Sequence, residues 1–266
     1  MPFAKIDDNL DMFYDVDDFT DPWKTPETIV LHHGMGKNTR MWYGWVPTLA
    51  RHYRVLRFDA RGFGQSTVPP EGYKWSLSNF ARDLRALLDH LQFDRVHLVG
   101  ETLGGTICMQ FAYEYPERTQ SLSICSSPFR FISPIYSEHA QEIKRDGMMS
   151  FAQKGMERRL DLAKTDPAFV EWYANEMGKT STRVAYEVLR SQPGVDLSDK
   201  LPKIKAPTLI MSAANFFLYP PGETQAMQTL IPDAQVKLFE GVSGFAHYAQ
   251  PEKCAKTLLE FLKGLK

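Results

Sequence analysis

A pentapeptide in the first half of the chain, Gly100-Glu101-Thr102-Leu103-Gly104, has the residue types and spacing that suit covalent acyl chemistry. It directly follows the apolar run RVHLVG and directly precedes the helical pattern LGGTICMQFAYEYPER. A strand, a G-x-S-x-G turn and a helix form a sharp bend that lifts a hydroxyl above a sheet, beside the positive end of the helix. The outer glycines let helix and strand cross closely, and the central residue is driven to positive φ. Here that residue is Thr102. A β-branched side chain in such a conformation is a genuine outlier, costing about 1–3 kcal/mol. Three more segments follow strand-like runs: His32-His33-Gly34-Met35-Gly36, FDARGFGQS at 58–66, and Gly244-Phe245-Ala246-His247 ahead of the final helical pattern.

Other chemistries find no support. There is no HExxH or comparable histidine array, and Cys108, Cys125 and Cys254 are an odd, widely spaced set without a CxxC, so neither a metal site nor a disulfide framework is expected. GMGK lacks the spacing of a phosphate-binding loop, and Gly62-Phe63-Gly64 is too short for a dinucleotide fingerprint, so no cofactor is implied. The six aspartates between Asp7 and Asp18 lack the loop glycine and terminal Glu of a calcium loop, and read as a solvated acidic edge. With 31 basic and 32 acidic residues, the chain lacks the net basic character of a nucleic-acid binder. No apolar run approaches the ~18 residues of a membrane span, and the acidic start lacks the layout of a signal peptide. The expectation is a cytoplasmic protein with a small-molecule substrate, without a nucleic-acid or membrane partner; a homo-oligomer is left open.

The elements that must position these residues alternate regularly. Strand-like runs at 28–32, 53–58, 95–100, 121–126, 208–212 and 235–239 are short and bounded by turn residues, as strands covered on both faces should be. Between them lie helical patterns, one over 41–53 and a second over 78–91 that places Phe80, Leu84, Leu87, Leu88 and Leu91 on one stripe. Such alternation builds a mostly parallel α/β sheet with helices on both faces. From 128 to 203 no strand pattern appears, and Met, aromatic and charged residues recur at helical spacing. The expected division is therefore an α/β core over 1–127 and 204–266, with a helical cap over 128–203 at the sheet's carboxyl edge.

Taken together, these segments resemble the α/β-hydrolase family over nearly the whole chain, and the inserted helices resemble those of 3-oxoadipate enol-lactonase-like and carboxylesterase members. The resemblance implies hydrolysis of a small ester or lactone, hydrophobic or carboxylate-bearing, through an acyl intermediate. Thr102 stands at the nucleophile position, His247 at that of the base, and the Met35 and Leu103 N–H groups at that of the oxyanion hole. The chain departs from the pattern at the acid. Alignment on Pro220 puts Phe216 where an Asp belongs, with Asn215 beside it as a weak candidate to orient His247, and Ser126 and Ser127 occupy the alternative position. Replacing a triad acid by a neutral residue costs roughly 10⁴ in turnover in a protease, whereas oxyanion donors contribute about 10²–10³ each and would survive. Three readings follow: a hydrolase using Thr102 and His247, a lyase-like or C–C-cleaving member in which His247 does acid–base work, and a ligand-binding or engineered low-activity variant. Gly34, Trp42, Phe129, Arg130, Trp172 and Phe216 are the candidate pocket residues, Arg130 being the one suited to a substrate carboxylate.

Overall fold

The central β-branched runs, at 28–32, 96–101, 119–125 and 208–213, pair into one sheet because each is buried on both faces and needs a layer on either side. The computed structural model describes residues 2–214, 216, 222–242 and 244–265. Its strands are β1 (Phe3–Asp7), β2 (Leu10–Asp17), β3 (Thr28–His32), β4 (Arg54–Phe58), β5 (Val96–Glu101), β6 (Thr119–Cys125), β7 (Thr208–Ala213) and β8 (Ala234–Phe239). They lie in the order β1-β2-β4-β3-β5-β6-β7-β8. The pairs β1–β2 and β2–β4 are antiparallel, and every pair from β4 to β8 is parallel.

The helices are α1 (Val46–Leu49), α2 (Leu77–His90), α3 (Leu103–Glu114), α4 (Ile135–Asp146), α5 (Met148–Lys154), α6 (Pro167–Gly178), α7 (Thr182–Arg190), α8 (Glu223–Leu230), α9 (Ala246–Ala249) and α10 (Pro251–Lys263). Alternate residues of β3 serve two cores. Ile29 and Leu31 pack with Leu49 of α1 and Leu258 of α10, while Val30 packs with Leu84 of α2 and Ile107 of α3. Ser76 caps α2, its hydroxyl accepting the Asn79 N–H at 3.1 Å.

One local expectation is incomplete and one needs correction. The aspartates over 7–18 are mostly exposed on the sheet edge as expected, but the run that carries them is largely strand: Leu10, Met12 and Phe13 are buried in β2, and Arg57 of β4 pairs with Asp17 at 2.8 Å. Its aspartates mask a half-buried strand whose acidic residues face solvent and a basic neighbour. The pattern over 41–53 forms a 3₁₀ turn, Thr39–Trp42, followed by α1. Gly44 lies between the two pieces, and Pro47 sits in the first turn of α1, where its missing N–H costs nothing.

Between β6 and β7 lie α4 to α7, and the only β pairing there among the described residues is the isolated bridge Arg130–Asp196. The hydrogen bond from the Phe245 N–H to the Arg159 carbonyl, at 2.8 Å, ties the segment between α5 and α6 to the start of α9, which carries His247. No helix of the described residues is long and apolar enough to cross a membrane.

Candidate active site

The turn after β5 is the sharp elbow its glycines require. Thr102 sits at φ 49° and ψ −123°, between the last residue of β5 and the first of α3. Its N–H donates to the Cys125 carbonyl at 3.0 Å, and its carbonyl accepts from Gly105 and Thr106 at 3.1 and 3.2 Å. A Cβ on Gly100 would lie 2.5 Å from the Gly104 carbonyl oxygen, and one on Gly104 would lie 2.4 Å from that of His33. Only glycine permits this crossing of strand and helix.

Thr102 opens onto a cavity of about 120 Å³ between the carboxyl edge of the sheet and the cap. Met35 and Leu103 line it together with Thr102. Leu103 is the first residue of α3, so its N–H has no acceptor within the helix. Much of the remaining wall is apolar, with Phe131, Phe151 and Met177 among its residues. Arg158, Arg159 and His139 add a basic side to this wall. Arg159 is 9% exposed, and its Nη1 donates to the Gly155 carbonyl at 2.6 Å. The Arg158 Nη2 is buried without a hydrogen-bond partner among the described residues, with Glu142 Oε2 as a loose ion-pair partner at 3.9 Å. Burial and the two arginines pull His139 down to about 4, so it is neutral near pH 7.

Behind Thr102 lies a buried charge cluster. Glu101, fully buried, accepts the Gly34 N–H on Oε1 and the Lys37 ammonium on Oε2 at 2.6 Å. His247 Nε2 stands 3.4 Å from that same Oε2. Phe245 and Tyr248 hold Lys37 Nζ against their rings, each at 4.9 Å, with Tyr173 at 5.8 Å. Burial pushes the Glu101 carboxyl up, but Lys37 and His247 outweigh it and hold it below the usual carboxylate range. Burial likewise pulls Lys37 down to about 8 against the attraction of Glu101, and pulls His247 below the ordinary imidazole value.

The predicted residues separate into two groups. Thr102, Met35 and Leu103 share the cavity wall, and Gly34 lies so close that its Cβ would stand 1.8 Å from Thr102 Oγ1. His247, 1% exposed on α9, lies behind that wall against Glu101, its backbone carbonyl held by Trp45 Nε1 at 3.0 Å. Asn215 falls outside the described residues. Phe216 packs on Phe245, centroids 5.6 Å apart, and only Phe245 reaches the cavity.

Besides Phe216, four expected pocket residues lie off the cavity. Trp42 is buried against Trp45 in the core shared with α10, because the 3₁₀ turn points it beneath the sheet's other layer. Phe129 is buried in the main core under the Arg130 guanidinium, 4.9 Å away. Arg130 pairs with Glu223 of α8 at 3.2 Å, which draws it off the cavity. Trp172 packs with Tyr43 and Phe169 beneath Arg40, on a different face of α6.

Sequence reasoning missed Glu101 and Lys37. A charged residue ending a wholly buried strand was the available signal for the first, and a lysine closing the glycine loop after β3 for the second.

A family model described as the alpha/beta hydrolase fold matches residues 27–253. The putative carbamate hydrolase RutD of Pseudomonas savastanoi pv. phaseolicola is 27% identical over 251 residues, covering 88% of this chain and 93% of that protein. An uncharacterized protein of Mycobacterium tuberculosis is 39% identical over 99 residues, so the matched part spans 37% of this chain and 28% of that protein's length. The crystal structure of the enol-lactonase from Burkholderia xenovorans LB400 superposes with a TM-score of 0.90 at 23% identity, covering 98% of this chain and all of that one. With its elbow, its sheet order and its histidine after the last strand, the chain belongs to the α/β hydrolase fold family.

Proposed function

We infer that the chain is a hydrolase of small, carboxylate-bearing esters or lactones, acting through an acyl intermediate on Thr102. The observation that carries this reading is Thr102 at the strained elbow, lining one cavity with Met35 and Leu103. Thr102 Oγ bonds to the carbonyl carbon while its proton passes to Nδ1 of His247, the ring nitrogen that does not face Glu101, and the carbonyl π pair moves onto oxygen, where the Met35 and Leu103 N–H groups receive it. The tetrahedral adduct collapses, its C–O bond breaks, and the leaving alkoxide takes the proton from His247. Water then repeats the sequence and frees Thr102. Relatives named as a carbamate hydrolase and an enol-lactonase support hydrolysis at a carbonyl carbon. Arg158 and Arg159, on an otherwise largely apolar wall, support an acidic substrate.

The test is hydrolysis of p-nitrophenyl acetate by the wild type, Thr102→Ala and His247→Ala. Both variants should lose at least about 100-fold in kcat while melting within a few degrees of the wild type. Wild-type turnover by folded Thr102→Ala removes the acyl-enzyme reading.

A further inference from the structure

We propose that Glu101, the residue immediately before the nucleophile position, is the positioning carboxylate for His247 and replaces the acid that the chain lacks at Phe216. This rests on the reading of Thr102 and His247 given above. The argument begins with charge balance. When Thr102 Oγ bonds to carbon its proton moves to His247, and the imidazole becomes a cation in a site where the histidine is 1% exposed. A buried cation without a counter-charge is strongly disfavoured. Glu101 Oε2, 3.4 Å from Nε2, lies close enough to supply that charge. The proton returns to the leaving alkoxide when the C–O bond breaks, so the cluster ends each half-reaction as it began.

Lys37 gives the arrangement its second part. It shares Oε2 with His247, keeps the carboxylate ionised in the dry interior, and is itself held by the Phe245, Tyr248 and Tyr173 rings. With Lys37 cationic and His247 neutral the cluster is neutral at rest, and it gains one positive charge only during the proton transfer. The other titratable groups facing Glu101 among the described residues are His32 and His33 from β3 and the loop after it, Cys125 from β6, Arg159 and Tyr173 from the cap, and Tyr248 from α9. None of these is a second carboxylate. Glu101 is walled off from the cavity by Thr102 and Lys37, which makes it a residue acting through histidine and not on the substrate.

The two partners should move the pH profile in opposite directions, which a merely structural role would not do. Removing the negative charge in Glu101→Gln leaves His247 facing Lys37, so the acid limb of kcat/KM for p-nitrophenyl acetate should shift to lower pH. In that variant kcat should fall about 100-fold or more, with KM within threefold of the wild type. Removing the positive charge in Lys37→Met should shift the same limb to higher pH, and Glu101→Asp should recover part of the lost kcat. Should Glu101→Gln fail to fold, the pair Lys37→Met/Glu101→Gln removes both charges together and should still lose about 100-fold. A folded Glu101→Gln or double variant with wild-type kcat and an unmoved acid limb overturns the proposal. If Thr102→Ala and His247→Ala are inactive in the same assay, that result condemns the role of Glu101 alone. If those two variants are active, the underlying hydrolytic reading falls with it.

Discussion

At position 102 a β-branched side chain occupies φ 49°, ψ −123°, a region disfavoured by contact between Cβ and the backbone. The surrounding glycines and the hydrogen bond to Cys125 over-determine the turn, so the side chain accepts the strain. Compared with serine it adds a methyl to a residue lining a small cavity, and its hydroxyl is secondary. Thr102→Ser keeps the hydroxyl and removes the methyl. It should raise p-nitrophenyl acetate turnover about tenfold or more, read from initial rates of matched preparations. A serine variant no faster than the wild type would mean that the methyl does not obstruct attack. The same scale explains why His33 serves structure. It accepts the Ala60 N–H on Nε2 at 2.9 Å and donates from Nδ1 to the Gly34 carbonyl at 2.8 Å, which leaves it no free nitrogen.

Among elements, the decisive contact is the one between the cap and the loop after β8. A Cβ on Gly244 would lie 2.2 Å from the Arg159 carbonyl oxygen, and the residue stands at φ 80°. Gly244→Ala therefore meets both a backbone clash and backbone strain, and should destabilise the fold by about 2 kcal/mol or more. Thermal denaturation followed by circular dichroism checks this, and an unchanged melting temperature would show that the cap can move aside at little cost. The segment that bears Arg159 also brings its guanidinium to the cavity wall. Arg159→Met should raise KM for the mono-p-nitrophenyl ester of succinate about tenfold or more while leaving that for p-nitrophenyl acetate within threefold. Equal effects on both esters would argue for a packing role.

For the molecule as a whole, buried histidines tie stability to pH. Burial pulls His32 down to about 3, and His33 and His247 also lie below the ordinary value. In the unfolded chain these side chains take up protons as the pH falls below about 6.5, whereas the native state refuses them. Stability is therefore full above that value and declines as the pH falls toward the native values, by at most about 1.4 kcal/mol per pH unit for each fully buried histidine. Urea denaturation at pH 7, 6 and 5 should show this decline. His32→Gln, which keeps a donor for the His33 carbonyl now bonded at 2.8 Å, should flatten it. An equal slope in wild type and variant would exclude His32 as a contributor.

Local patterns were enough to establish the alternation of strands and helices, the helical insertion after β6 and the elbow at Thr102. Each of these follows from apolar periodicity or glycine spacing within a few neighbouring residues, and all six strand-like runs are strands in the structure. Where the charges meet had no local signature. Glu101 and Lys37 lie 64 positions apart and become partners only because β5 is laid beside β3. Likewise, α8 brings Glu223 to Arg130 and so removes that arginine from the site, while the packing of the cap leaves Arg158 and Arg159 facing the cavity. The strand under the acidic N-terminal run became visible only through its pairing with β4. Residue type and spacing determined the class of chemistry this chain is built for. Which carboxylate faces the histidine, and which arginine faces the cavity, was decided by contacts between distant segments, since burial and charge pairing are properties of the packed structure.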